Sequence, residues 1–285
     1  MKNRARGSGP GSGNEHARRV LEAYGPWAVV TGASDGMGRA LCEHLARAGF
    51  NLVMVARRGD VLAELANRLT RECAVETVPM SLDMGRASDI DLLMASVNGR
   101  DVGLLVAAAG YGTSGPFAAG TLERELDMLS VNCRAVLVLV HFFASRFMDR
   151  RRSAIVMFGS LVGWQGTPYA AHYAATKAYV QVLAEGLRVE LAPHNIDILS
   201  AAPGPVASGF ARRAGMRMGA ATSTTAAAAD IFRSLGRSGT IVPGALGKLL
   251  TYSLAILPRR LRIQVMARVM RGMTGQHEEE SKRAR

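Results

Sequence analysis

In the stretch "YAAHYAATK" (169–177), Tyr173 and Lys177 stand four residues apart on a background made mostly of alanine. Residues i and i+4 of an α-helix share a face, so the two side chains meet if the stretch is helical. An ammonium beside a phenol favours the phenolate and lowers its pKa from about 10 toward working pH. Such a tyrosine can give a proton to a carbonyl oxygen, or take one from an alcohol. The same spacing also arises on ordinary surface helices, so the pair has to be judged by what surrounds it.

Short apolar runs alternate with helical patterns along most of the 285 residues, which predicts a parallel sheet with crossover helices. Strands are expected at "WAVV" (27–30), "NLVMVA" (51–56), "AVETVPM" (74–80), "VGLLVAAAG" (102–110), "SAIVMFGS" (153–160) and "IDILSAA" (196–202), with a last one at "GTIVPG" (239–244). Amphipathic helices fall between them, at "MGRALCEHLARAG" and "DVLAELANRLTRE", and a long one runs from "LEREL" through "AVLVLVHFFASRFM". The stretch from Phe210 to Ala229 is poor in large apolar residues and reads as a mobile substrate loop with a weak helix. No repeat of 20–50 residues occurs.

The first strand runs into "TGASDGMG" (31–38), with glycines at 32, 36 and 38, and then into a helix. Strand, glycine turn and helix together make a dinucleotide fingerprint. Gly32 permits the tight turn, Gly36 lets backbone approach a pyrophosphate, and Gly38 allows helix and strand to pack closely. The helix N-terminus then offers free N–H groups to the phosphates. The second strand ends "VARR", with Ala56 where an acidic residue would hold a ribose 2′-hydroxyl. Arg57 and Arg58 follow, and a guanidinium can grip a 2′-phosphate with paired, charge-assisted bonds. NADP(H) is therefore the expected cofactor, with Arg57 the stronger candidate because it lies nearer the strand end.

This glycine spacing resembles that of the short-chain dehydrogenase/reductase superfamily, and the resemblance extends from Trp27 to Ser208. It implies a single-domain α/β Rossmann-type fold, doubly wound around a parallel sheet, with the residues after 244 as a helical lid. By the same resemblance Ser34, Asp35 and Met37 belong to the cofactor loop, and Asp83 in "SLDM" meets the adenine. Gly110 ends "AAAG", where the family usually has Asn-Ala-Gly; Ala108 stands for the asparagine and forfeits a hydrogen bond across the central strand. "PGPVAS" corresponds to the Pro-Gly loop near the nicotinamide, contributing Pro203, Gly204, Val206 and Ser208.

The resemblance also assigns the chemistry. Ser160, thirteen residues before Tyr173, matches the serine that polarises the substrate carbonyl. Asn132 in "LSVNC" matches a fourth catalytic residue that supports a proton relay, and Lys177 binds ribose hydroxyls besides tuning Tyr173. Taken singly, Ser160 could be a strand-end cap and Asn132 a polar helix residue. His172 reads as structural, while Trp164 and Tyr169 could either line the pocket or pack. The expected activity is NADPH-dependent reduction of an apolar ketone, such as a 3-ketoacyl or steroid-like molecule. The alternatives are oxidation of a secondary alcohol by the same residues, and an idle dinucleotide-binding interaction protein.

Charge and composition limit the rest. The formal net charge of +12 has no aromatic-plus-basic motif beside it, so nucleic acid is not an expected partner. From Lys248 to Arg271 there are six basic residues and no acidic one, interleaved with apolar ones. That amphipathic segment suits either a lid with a solvated basic face or contact with an anionic membrane surface, an acidic partner or an anionic substrate. Cys42, Cys73 and Cys133 match no metal spacing and read as small apolar groups in a reducing compartment. No continuous apolar run is long enough to span a bilayer, and the first residues carry no apolar signal core. The expected layout is a flexible basic tail (1–24), one dinucleotide-binding and catalytic domain (25–244), a basic helical extension (245–275) and a polar tail (276–285). A cytoplasmic protein, with the option of membrane association, and a homo-oligomer after the family habit complete the expectations.

Overall fold

The computed structural model describes residues 11–216 and 219–274. The polar tail expected over 276–285 and the first ten residues lie outside that range. Strands β1 (Trp27–Thr31), β2 (Asn51–Ala56), β3 (Thr77–Ser81), β4 (Val102–Ala107), β5 (Ser153–Phe158), β6 (Ile196–Ala201) and β9 (Thr240–Ile241) form one parallel sheet in the order β3-β2-β1-β4-β5-β6-β9. A two-residue parallel pair, β7 (Val206–Ala207) with β8 (Thr222–Ser223), lies beyond it. The expected third strand starts later than its sequence pattern suggests, because Ala74 takes a left-handed turn (φ 54°) that caps the preceding helix.

The central strands are apolar throughout because both faces are covered. In β1, Ala28 and Val30 enter one core, while Trp27 and Val29 enter the other. The first core takes residues from α1 (Gly11–Tyr24), α2 (Gly36–Arg47), α3 (Gly59–Cys73) and α9 (Thr224–Ser234). The second takes them from α4 (Ala87–Ser96), α6 (Ala135–Phe147) and α7 (Ala171–Leu191). The helical remainder is α5 (Leu122–Leu129), α8 (Phe210–Arg213), α10 (Ala245–Ala255) and α11 (Arg259–Thr274).

Two sequence expectations need correction, and two further helical features stand beyond what the sequence patterns show. The tail expected to be flexible over 1–24 is helical from Gly11, and Val20 and Tyr24 are buried against the sheet; the Tyr24 hydroxyl donates to Asp197 Oδ2 at 2.7 Å. The loop expected up to Ala229 becomes helix at Thr224, where Ala228, Ile231 and Phe232 pack into the first core. Small side chains there allow close approach to α2 rather than marking a loop. Helix α4 carries its apolar face on only Ile90 and Leu93, too little periodicity to stand out. Finally, Leu122–Phe147 is one continuous 26-residue helical run that by length and composition is apolar enough to cross a membrane. Half of its most apolar window is buried inside the fold, and it lies over the sheet.

Candidate active site

Between β1 and β4 the strand order reverses, and the crevice beyond their C-terminal ends is where such sheets hold ligands. A cavity of about 630 Å³ opens there. Its first end is built from the glycine loop. Gly32 has φ +70°, and a Cβ on it would stand 2.8 Å from the Ala108 carbonyl oxygen; a Cβ on Gly38 would collide with the Gly32 carbonyl. Both positions therefore require glycine, one for its turn and one for helix–strand contact. Beside Ala108, the Ala109 N–H donates to Thr31 Oγ1 at 3.0 Å, which ties the end of β4 to β1.

The N-terminus of α2 carries its own carboxylate. Asp35 caps the helix by accepting from the Gly36 N–H at 2.7 Å, and its other oxygen accepts from Arg213 Nη1 at 2.6 Å. Arg58 lies 3.8 Å from the same oxygen and donates to the hydroxyl and carbonyl of Ser34. The neighbouring cations hold the Asp35 carboxyl below the usual range, although burial acts the other way and is the largest single influence. Arg57 is freer, with its nearest carboxylate, Asp83, 3.9 Å away. Every residue expected to bind cofactor lines this cavity: Ser34, Asp35, Met37, Arg57, Arg58 and Asp83 with the glycine loop, Gly110, and Pro203, Gly204, Val206 and Ser208 from the loop after β6.

Ser160, Tyr173 and Lys177 line the middle of the cavity. Ser160 sits just after β5, and its hydroxyl donates to the Pro203 carbonyl at 3.4 Å. Tyr173 and Lys177 project from the same face of α7, with the ammonium 5.9 Å from the phenol ring centre. Lys177 Nζ donates to the Phe158 carbonyl at 2.9 Å, so the lysine is anchored to the end of β5, two residues before Ser160. The expected lowering of the Tyr173 pKa by Lys177 is not what the site does. Burial pushes the phenol up, with only the Ser160 hydroxyl acting downward, and burial brings Lys177 down to about 8. Desolvation penalises the charged form of each group and is the largest influence on both.

Asn132 stands behind the cavity wall rather than in it, 1% exposed. Its Nδ2 donates to the Tyr111 carbonyl (2.8 Å) and to Thr176 Oγ1 (3.0 Å), while its Oδ1 accepts from the Tyr111 N–H (3.1 Å). It lies in a π-helical turn, Ser130–Arg134, where the long helix widens by one residue. Such bulges concentrate at functional sites because they turn a side chain away from the helix repeat. Here the bulge aims the amide at both the loop after β4, at Tyr111, and α7, at Thr176.

The far end of the cavity is apolar, walled by Phe210, Met216, Leu250, Leu254, Met266 and Met270. Sequence reading did not single out Tyr111 or these methionines, and it named Phe210 only as the start of the expected substrate loop. Met266 and Met270 at i and i+4 were the one available signal, whereas Tyr111 carries none beyond following "AAAG". Trp164 and Tyr169 are not in the wall. Tyr169 holds α11 instead, accepting at its hydroxyl from Arg271 Nε at 3.3 Å. His172 pairs with Glu125 Oε2 at 2.7 Å, in keeping with a structural role. Among the described residues no cluster of metal-ligating side chains occurs.

Residues 26–218 match the short chain dehydrogenase family. The chain belongs to that family. Over 187 residues it is 36% identical to the very-long-chain 3-oxoacyl-CoA reductase of Aspergillus clavatus, covering 63% of this chain and 54% of that one. Over 178 residues it is 32% identical to the 7beta-hydroxysteroid dehydrogenase of Clostridium sardiniense, covering 62% of this chain and 68% of that one. The chain spans about half the length of the fungal reductases it matches. Among solved structures, the short-chain dehydrogenase from Sphingobium yanoikuyae in complex with NADPH aligns with a TM-score of 0.73 at 28% identity, covering 82% of this chain and 97% of that one. The family is one of oxidoreductases, and the seven-stranded sheet with its C-terminal helices is its Rossmann-type fold.

Proposed function

We propose that this short-chain dehydrogenase reduces an apolar ketone, of the 3-oxoacyl or similar lipid-like class, to a secondary alcohol with NADPH. The observation that carries the reading is the position of Ser160, Tyr173 and Lys177 where the glycine-lined end of the cavity meets its apolar end. The residues present fit the cofactor. The glycine cradle and the α2 N-terminus suit a pyrophosphate, while Arg57 and Arg58 beside Ala56 suit a 2′-phosphate and offer no carboxylate to a 2′-hydroxyl. When bound, NADPH supplies the hydride.

The chain's own residues do the rest. Ser160 donates a hydrogen bond to the substrate carbonyl and polarises it. Tyr173, its pKa raised by burial, stays a phenol at neutral pH and delivers a proton to the developing alkoxide. Lys177 holds ribose hydroxyls while tied to Phe158, and Asn132 fixes Tyr111 and Thr176 around the site as part of the proton relay. The apolar end, with its adaptable methionines, receives the bulk of the substrate. The relatives named for 3-oxoacyl-CoA reduction and 7beta-hydroxysteroid chemistry support a lipid-like substrate. The latter also supports a second reading, oxidation of a hydroxysteroid-type alcohol by the same residues run in reverse. The family habit of assembling as dimers or tetramers fits the exposed Leu137 on α6 and Tyr179, Val182 and Val189 on α7.

The test is oxidation of NADPH and NADH against ketones, 3-oxoacyl thioesters and ketosteroids, with NADP-dependent oxidation of the matching alcohols. Turnover of long-chain ketones with NADPH is the expected result. Turnover of small polar ketones alone, or with NADH alone, overturns the reading.

A further inference from the structure

Helices α10 and α11 have two apolar sides. One walls the cavity through Leu250, Leu254, Met266 and Met270. On the other, Leu249, Tyr252 and Ile256 are 67%, 68% and 83% exposed, and their i, i+3, i+7 spacing sets them on one face. Leu261, Val265 and Val269 add an exposed stripe along α11 at i, i+4, i+8. Val265 and Val269 also line the cavity, so the outer stripe is continuous with the interior.

Exposed cations surround this apolar surface: Lys248, Arg259, Arg260 and Arg268. None of them pairs with a carboxylate among the described residues, and no acidic residue occurs from Lys248 to Arg271. A second copy of the chain seated here would set one cationic ring against another. An acidic protein would satisfy the cations but leaves unexplained why the aliphatic stripe leads into the cavity. An anionic lipid surface satisfies both features, since its headgroups meet the cations and its acyl region accepts the apolar side chains.

We propose that the α10–α11 face docks on an anionic lipid bilayer, so that an apolar substrate passes from lipid along Leu261, Val265 and Val269 into the cavity. The inference rests on the reading of that cavity as the site for a lipid-like ketone. It turns the lid into an intake: the side chains that would be a liability in water become the contact with the substrate's own solvent.

The full chain is floated with vesicles of phosphatidylcholine, with and without phosphatidylserine. Wild type is expected to float with the phosphatidylserine vesicles and not with neutral ones. Two triple variants separate the two contributions, L249S/Y252S/I256S for the apolar face and K248E/R259E/R260E for the cations. None of these residues touches the cavity, and each variant is expected to weaken binding by about tenfold or more. Tyr252→Trp should shift its emission to the blue on phosphatidylserine vesicles. With a short water-soluble ketone, L249S/Y252S/I256S should turn over as wild type does, whereas a long-chain ketone presented in those vesicles should be reduced several-fold more slowly. No binding by folded wild type, binding by both variants as tight as wild type's, or a solution dimer abolished by L249S/Y252S/I256S overturns the docking. Vesicle binding without turnover of any ketone overturns the reductase reading instead, so the two failures are distinguishable.

Discussion

Arg213 Nη1 lies 2.6 Å from Asp35 Oδ2, joining the short helix after the Pro-Gly loop to the residue that caps the cofactor helix, 178 positions earlier. Gly209 makes the approach possible, because a Cβ there would stand 2.8 Å from Arg213 Nη1. On its other side the strap is held by Ser114 Oγ donating to the Ala214 carbonyl at 2.6 Å and by Arg124 Nη2 donating to the Arg213 carbonyl at 3.1 Å. The strap thus bridges the two lips of the site. Arg213 is about two-fifths exposed, so the pair adds little to stability, about 1 kcal/mol or less. Arg213→Met is expected to leave urea unfolding almost unchanged while NADPH dissociates several-fold faster, read by stopped-flow fluorescence. An unchanged dissociation rate would sink the assignment of the strap as a clasp on the cofactor.

Tyr173→Phe removes the hydroxyl proposed as proton donor and keeps the ring. Turnover should fall by roughly a thousandfold, within the usual span for general acid catalysis, and NADPH binding should stay within about twofold of wild type. Persistent activity in steady-state assays would falsify the role given to Tyr173.

Lys177 gives stability and activity the same pH marker. Its folded pKa is lowered to about 8 from 10.5, so the folded chain releases a proton that the unfolded chain still holds. The cost, about 3 kcal/mol, is fully present below pH 8 and is relieved as pH rises toward 10.5. Wild type should therefore gain stability relative to Lys177→Met across that window, measured by urea unfolding at several pH values. At pH 7 the two should be close, because the variant leaves the Phe158 carbonyl without its donor. For reduction, kcat/KM should decline above about pH 8 as the ammonium is lost. A flat stability difference across the window would show that the lysine is not desolvated.

Arg57→Ala tests cofactor choice. Losing one charge-assisted contact to a 2′-phosphate should raise the KM for NADPH by about tenfold and barely alter that for NADH. Equal effects on both would move the 2′-phosphate contact to Arg58, whose guanidinium is already engaged with Ser34.

Gly38→Ala tests the cradle. The added methyl meets the Gly32 carbonyl, and backbone cannot yield as a flexible side chain does. A loss of about 1–3 kcal/mol in urea unfolding is expected, together with weaker NADPH binding. Wild-type values for both would mean that α2 can shift away from β1 at little cost.

The parts of this protein written in local sequence were legible without coordinates. Apolar runs separated by amphipathic segments specify a buried parallel sheet, because strand and helix periodicities are properties of neighbours in the chain. The fingerprint glycines, Ser160, and the Tyr173–Lys177 pair could be named for the same reason, as each belongs to a short motif with a fixed offset. What only the folded chain decided depends on groups distant in sequence. The covering helices α1 and α9 took shape from their contacts with the sheet and α2, against compositions that suggested a tail and a loop. Burial, not the Lys177 charge, sets the protonation of Tyr173, and burial is a sum over the whole fold. The π-helical turn that aims Asn132, the Asp35–Arg213 clasp and the split of α10–α11 into an inner wall and an outer face carry no local signature. Short-range spacing determined which residues could be named as candidates for the chemistry; tertiary contact decided their burial, and with it their charge state, because burial is a sum over groups distant in the chain.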